Sequence, residues 1–169
     1  MALSGVAQAE SPIGNKADAK CLAEASKTLQ PGFNHADYTF HGGTESDDIF
    51  DGQATEDPDV FCGFGGDDQI GVSFALDEGD IFLGGAGNDD VDVNLGTFNG
   101  GAGDDFVSDN YGTFNGGAGD DRVLFNHPGA TFNGGEGNDS VFGNAPGATF
   151  VGGEGFDCVL FGPGPVDGP

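Results

Sequence analysis

The sequence predicts an all-β protein: a right-handed parallel β-roll or β-helix of about seven coils, with a helical cap at its N-terminus. Three observations carry this. Nine-residue segments rich in Gly and Asp recur seven times. Between them recur short β-favouring runs with Phe at a fixed place. The composition joins 34 Gly to 16 Phe in 169 residues, a glycine excess that suggests a repeat and an apolar content that argues against disorder.

The segments are GGTESDDIF (42–50), GFGGDDQIG (63–71), GGAGNDDVD (84–92), GGAGDDFVS (100–108), GGAGDDRVL (116–124), GGEGNDSVF (134–142) and GGEGFDCVL (152–160). Their starts lie 21, 21, 16, 16, 18 and 18 residues apart. Each has Asp at its sixth position and Ile or Val at its eighth. The intervening runs are YTFH, DVFC, DIFL, GTFN, GTFN, ATFN and ATFV. Each unit therefore holds two strands, one after the Gly-rich loop and one before the next. Alternation along a strand places Val91 with Val93, and Val123 with Phe125, on one face. Stacking then buries a ladder of Phe40, Phe61, Phe82, Phe98, Phe114, Phe132 and Phe150 against the Ile/Val row. Strand-to-parallel-strand connections are right-handed. The second turn of each unit is tighter and carries Asn94, Asn110, Asn126 or Asn144, residues suited with Gly and Pro to sharp turns.

Four organisational segments follow: 1–14, a flexible N-terminus or the remnant of a signal peptide; 15–37, a helical cap; 38–162, the roll; and 163–169, a C-terminal tail. The stretch NKADAKCLAEASKTLQ (15–30) reads as a helix, with Asn15 at its N-cap and Leu22, Ala25 and Leu29 on one stripe. Repeat stacks need such caps, because a bare first coil exposes core and an unpaired edge. Cys21, Cys62 and Cys158 cannot all pair within one chain; one disulfide with a free thiol, or none, satisfies the count.

The charge is one-sided, with 29 Asp and Glu against four Lys and Arg, a net −25. Such a chain repels nucleic acid and anionic membrane surfaces, and no run is long enough for a transmembrane helix. The acids are ordered. The sixth-position carboxylates are Asp47, Asp68, Asp89, Asp105, Asp121, Asp139 and Asp157. Coils about 4.8 Å apart stack them into a column. At that spacing two unit charges repel by roughly 3 to 4 kcal/mol at an effective dielectric near 20, so the column needs cations or protons.

The seven segments resemble the RTX nonapeptide repeat, G-G-x-G-x-D-x-U-x, across about residues 38–162. The resemblance implies a β-roll whose loops bind Ca²⁺ between neighbouring coils, one loop giving its Asp and even-position carbonyls, the other its odd-position carbonyls. Seven loops offer up to about six ions. The implied ligating positions, besides the seven Asp, are Gly84, Gly85, Ala86, Gly87 and Asn88; Gly100, Gly101, Ala102, Gly103 and Asp104; Gly116, Gly117, Ala118, Gly119 and Asp120; Gly134, Gly135, Glu136, Gly137 and Asn138; and Gly153 and Gly155. Glu45, Phe64 and Phe156 depart from the motif, which favours the central sites. A typical RTX roll carries the motif on both turns; here one turn does, so one row of ions is expected. The longer secretion region that follows type I repeats is missing, which slightly favours a Sec-type signal.

Calcium at sites of this kind contributes folding energy, and extracellular modules bind it with Kd of roughly 10⁻⁴ to 10⁻³ M. The expectation is a calcium-dependent module, extracellular or at the cell surface, structural or binding a partner, with oligomeric state open. Two alternatives stand beside it. Thr97, Thr113, Thr131 and Thr149, with Asn99, Asn115 and Asn133, form outward rows that resemble the ice-binding region of an RTX adhesin. The repeats also resemble the accessory calcium modules of alginate epimerases. His35, His41 and His127 join no nucleophile or acid–base pair, so no enzyme activity is expected of the chain itself.

Overall fold

The computed structural model describes residues 16–29, 34–71 and 75–163. The expected segment 1–14, the Asn15 cap and most of the 163–169 tail lie outside the described residues.

Fourteen strands form two parallel seven-stranded sheets. Sheet A contains β1 (Thr39–Gly42), β3 (Asp59–Cys62), β5 (Ile81–Ala86), β7 (Thr97–Ala102), β9 (Thr113–Ala118), β11 (Thr131–Glu136) and β13 (Thr149–Glu154). Sheet B contains β2 (Ile49–Phe50), β4 (Gln69–Ile70), β6 (Asp90–Asn94), β8 (Phe106–Asn110), β10 (Arg122–Asn126), β12 (Ser140–Asn144) and β14 (Cys158–Phe161). Each strand pairs with the equivalent strand of the next coil, Phe98 beside Phe114 and Val107 beside Val123, so the molecule is a seven-coil parallel solenoid. The Gly-rich loops all lie on one flank and the Asn turns on the other.

The core is one row from each sheet. Phe82, Phe98, Phe114, Phe132 and Phe150 stack face to face with centroids 4.8 to 5.0 Å apart. Opposite them lie Ile70, Val91, Val107, Val123 and Val141, all buried. Full burial of each such side chain contributes about 1.5 to 3 kcal/mol.

The expected register is wrong by one residue in the first coil. Phe40 pairs with Val60 and not with Phe61, so it points outward. His41 holds the inner place and stacks on Phe61 at 4.7 Å. The slip persists through the loop: Phe50 pairs with Ile70 and is buried, while Ile49 is exposed. Because side chains alternate with period two, one residue of slip exchanges the faces. Two expected core members also turn out. Phe125 is 43% exposed and Val93 is half-buried, because the Asn that follows each turns into the flank.

The expected N-terminal helix is α1 (Lys16–Thr28), packed at the first coils of the stack. It lies on the outer side of sheet A against β1 and β3. Cys21 and Ala25 bury there with Phe40, Val60, Cys62, Ile81 and Leu83. These residues hold the outward places that Thr and Asn take in later coils: Ile81 pairs with Thr97 and Leu83 with Asn99. The helix thus covers the apolar part of the face and leaves the polar part open. Asp18 is buried and accepts the Gly42 N–H at 3.2 Å. A Cys21–Cys62 disulfide fastens the helix to β3, and Cys158 is a free, exposed thiol.

Candidate metal centre

Each Gly-rich loop starts as sheet A ends and delivers its sixth residue at the start of sheet B. In the last five loops two glycines take positive φ, as at Gly101 (117°) and Gly103 (133°), a region that Cβ disfavours; in the second loop Phe64 (78°) and Gly66 (98°) take these places. The first glycine of the loop is required for a different reason. A Cβ on Gly100 would overlap Asp105 Oδ2 and sit 2.8 Å from the Gly116 carbonyl oxygen. The aspartate therefore folds back over its own loop's first glycine, and its outer oxygen faces the carbonyl of the next loop. The same arrangement repeats at Gly84, Gly116 and Gly134.

The column comprises Asp48, Asp68, Asp89, Asp105, Asp121, Asp139 and Asp157. Asp47 is not in it, as the first-coil slip requires; the carboxylate that aligns with Asp68 is that of Asp48. Each Oδ1 accepts the backbone N–H of the aspartate one coil earlier. Asp68 accepts from Asp48, Asp89 from Asp68, Asp105 from Asp89, and so on to Asp157, at 2.8 to 2.9 Å. Asp68, Asp89, Asp105, Asp121 and Asp139 are at most 1% exposed, yet their Oδ2 atoms have no hydrogen-bond partner. Burial pushes these carboxyls up from 3.8, against the opposing hydrogen bond each accepts: Asp105 to about 8, Asp68 and Asp121 to about 7, Asp89 and Asp139 to about 6. Neighbouring carboxylates add to the rise.

The fifth-position residues form a second, exposed ladder of opposite sense. Asp47 Oδ1 accepts the Asp67 N–H, Asp67 that of Asn88, Asn88 that of Asp104, Asp104 that of Asp120, and Asp120 that of Asn138. Asn88, Asp104, Asp120 and Asn138 are thus brought beside the column, but they face solvent. The third-position carbonyls of Ala86, Ala102, Ala118 and Glu136 accept N–H groups of Gly66, Gly87, Gly103 and Gly119. Gly153 and Gly155 lie in the last loop, both exposed.

The opposite flank holds the Asn residues whose type suits sharp turns, and here they do more than turn the chain. Asn94, Asn110, Asn126 and Asn144 are buried. Each Nδ2 of the first three donates to the next Asn Oδ1 at 2.8 to 3.0 Å and to a backbone carbonyl. In the second and third coils this flank also carries Asp59 and Asp80. Asp80 Oδ1 accepts the Asp59 N–H, and its Oδ2 accepts the Asp77 N–H. Asp59 binds Thr55 and His41, so both carboxylates are satisfied. His127 meets Asp109 at 2.7 Å and stacks on Tyr111. The pairing of these acids with His could not be read from spacing, since the partners come from different coils.

Among the described residues no three His, Cys, Asp or Glu side chains converge on one point. An ion on the column would draw on one or two carboxylates and, for the rest, on backbone oxygens. The donor set fits a hard cation: oxygen only, with an orphaned buried carboxylate oxygen at each central coil and a next-loop carbonyl facing the same space. No protein-family model, curated protein or solved structure matches the chain.

Proposed function

We propose that the protein is a calcium-binding solenoid whose folding depends on calcium, working outside the cell or at its surface as a structural or interaction module. The observation that carries this reading is the row of five buried Oδ2 atoms without partners on the Gly-rich flank. A buried carboxylate oxygen left unpaired is costly, and natural interiors seldom keep such groups without a reason. Protons satisfy them at low pH. At neutral pH and above, a divalent cation between successive loops removes both the orphaned acceptor and the repulsion along the column. Asp68, Asp89, Asp105, Asp121 and Asp139 would hold the ions, with Asp48 and Asp157 closing the ends. The cation supplies charge neutralisation and cross-coil ligation.

Isothermal calorimetry with CaCl₂ tests this. The expected result is binding of several ions per chain with Kd no weaker than about 10⁻³ M, a stoichiometry that falls when Asp105 and Asp121 are both replaced by Asn. Absence of heat at millimolar calcium refutes it.

A second reading rests on the open part of sheet A. Asn115 donates to Asn99 and Asn133 to Asn115, each at 2.7 Å, beside in-register Thr97, Thr113 and Thr131. This in-register array of hydroxyls and amides suits an ordered water or ice surface. Thermal hysteresis that Thr113→Tyr abolishes supports it; none in the parent chain ends it.

A further inference from the structure

We propose that the free edge of β14, at the end of sheet B, is an interface between two copies of this chain, flanked by the apolar outer face of the last three coils. Exposed rings form a contact chain there. Phe125 lies 6.3 Å from Phe142, and Phe142 lies 5.1 Å from Phe161. With Leu160 these side chains are 41 to 63% exposed. Contiguous exposed aromatic groups of this kind mark interaction sites.

Three features assign the place to a second copy. The first is charge. On the same face of earlier coils stand Asp90, Asp92 and Asp109, whereas the last three coils present Arg122 and no acid on the corresponding strands. Two chains of net charge −25 repel over most of their surface; here apolar groups and a cation replace carboxylates. The second is the edge. Among the described residues β14 pairs with β12 alone, so its other side offers unpaired N–H and C=O groups. Antiparallel pairing of β14 with its own copy satisfies both edges about a two-fold axis and closes the assembly as a dimer. The third is continuity: Leu160 and Phe161 belong to the edge strand itself, so pairing of the edges sets the two aromatic patches side by side on one continuous sheet. The interface does not depend on the calcium reading.

Sedimentation velocity on the Cys158→Ser variant, in calcium buffer, gives the test without a thiol. The expected result is a concentration-dependent dimer that strengthens with added NaCl, as screening weakens repulsion between the acidic bodies. Phe142→Asp and Leu160→Asp, with circular dichroism unchanged, each raise the dimer Kd at least about tenfold, or 1.4 kcal/mol. If either variant fails to fold, the parent chain serves. A four-residue strand is about 14 Å long, so a short bis-maleimide joins two Cys158 thiols across the axis. A monomer at every concentration, a dimer indifferent to both substitutions, or absence of the cross-linked dimer overturns the proposal, including where a different protein is found on this face.

Discussion

The two flanks of the solenoid meet the same demand, a polar side chain buried at every turn and repeated about 4.8 Å along the stack, and they meet it with opposite chemistry. On one side Asn94, Asn110, Asn126 and Asn144 hand hydrogen bonds up the stack; each amide is both donor and acceptor, and the ladder is neutral. On the other side the carboxylates only accept. In the five buried ones, Asp68 to Asp139, one oxygen takes a neighbour's N–H and the other is left without a partner. A carboxylate cannot complete a ladder with its own kind unless protons or cations intervene. The difference teaches where the fold carries its dependence on the medium: the Asn ladder leaves one buried oxygen unpaired, Asn94 Oδ1 at its start, whereas the Asp column leaves a carboxylate oxygen unpaired at each of five coils.

The comparison breaks most sharply if the two chemistries are exchanged. Asn110→Asp places an unpaired charge in the neutral ladder and should cost about 3 to 5 kcal/mol, a loss that calcium does not restore; equal chemical denaturation of variant and parent would contradict the account. Glycine tests give the next effect. Gly116→Ala drives a Cβ into Asp121 Oδ2 and should cost about 1 to 3 kcal/mol together with calcium affinity. Gly129→Ala, on the Asn flank at φ 89° with open space around it, should cost about 1 kcal/mol and leave calcium affinity unchanged.

The pH dependence separates the flanks further. The raised carboxyls hold their protons when folded at pH values where the unfolded chain, near 3.8, has lost them. Their contribution to stability is full below about pH 4 and is lost as pH rises toward 8, through the folded values of about 6 to 8. Metal-free protein should therefore keep more β structure at pH 5 than at pH 8, as circular dichroism measures it, and saturating calcium should flatten the difference. The smallest change is Asp105→Asn. It keeps an oxygen for the Asp89 N–H and removes a charge, so it should raise metal-free stability at pH 8 by about 1 kcal/mol and weaken calcium binding.

The coil and the column were legible in the sequence because they repeat. Val107 and Phe114 recur at fixed places relative to GGxGxD, and period-two alternation assigns their faces. The first coil was misread because its loop, with Thr44 and Ser46 where later loops have glycine, invites alignment on Gly42–Gly43. The pairing of Gly42 with Cys62 makes Gly43 the loop's first residue, and Asp48, His41 and Phe50 move with it. The Asn ladder was half legible: the residues were placed in register, but turn propensity explained them without burial. The Cys21–Cys62 bridge and the seat of α1 were not legible, since both follow from an outward apolar row, Val60 and Ile81, that only coil-to-coil register reveals.

Far-ultraviolet circular dichroism at pH 8, taken in EDTA and again after addition of excess Ca²⁺ or Mg²⁺, addresses the claim most directly. The account predicts little β signal in EDTA, full recovery with millimolar Ca²⁺ and much less with Mg²⁺, whose strict octahedral demand suits these backbone-rich loops poorly. A full β spectrum in EDTA with the same melting temperature as in calcium would contradict it.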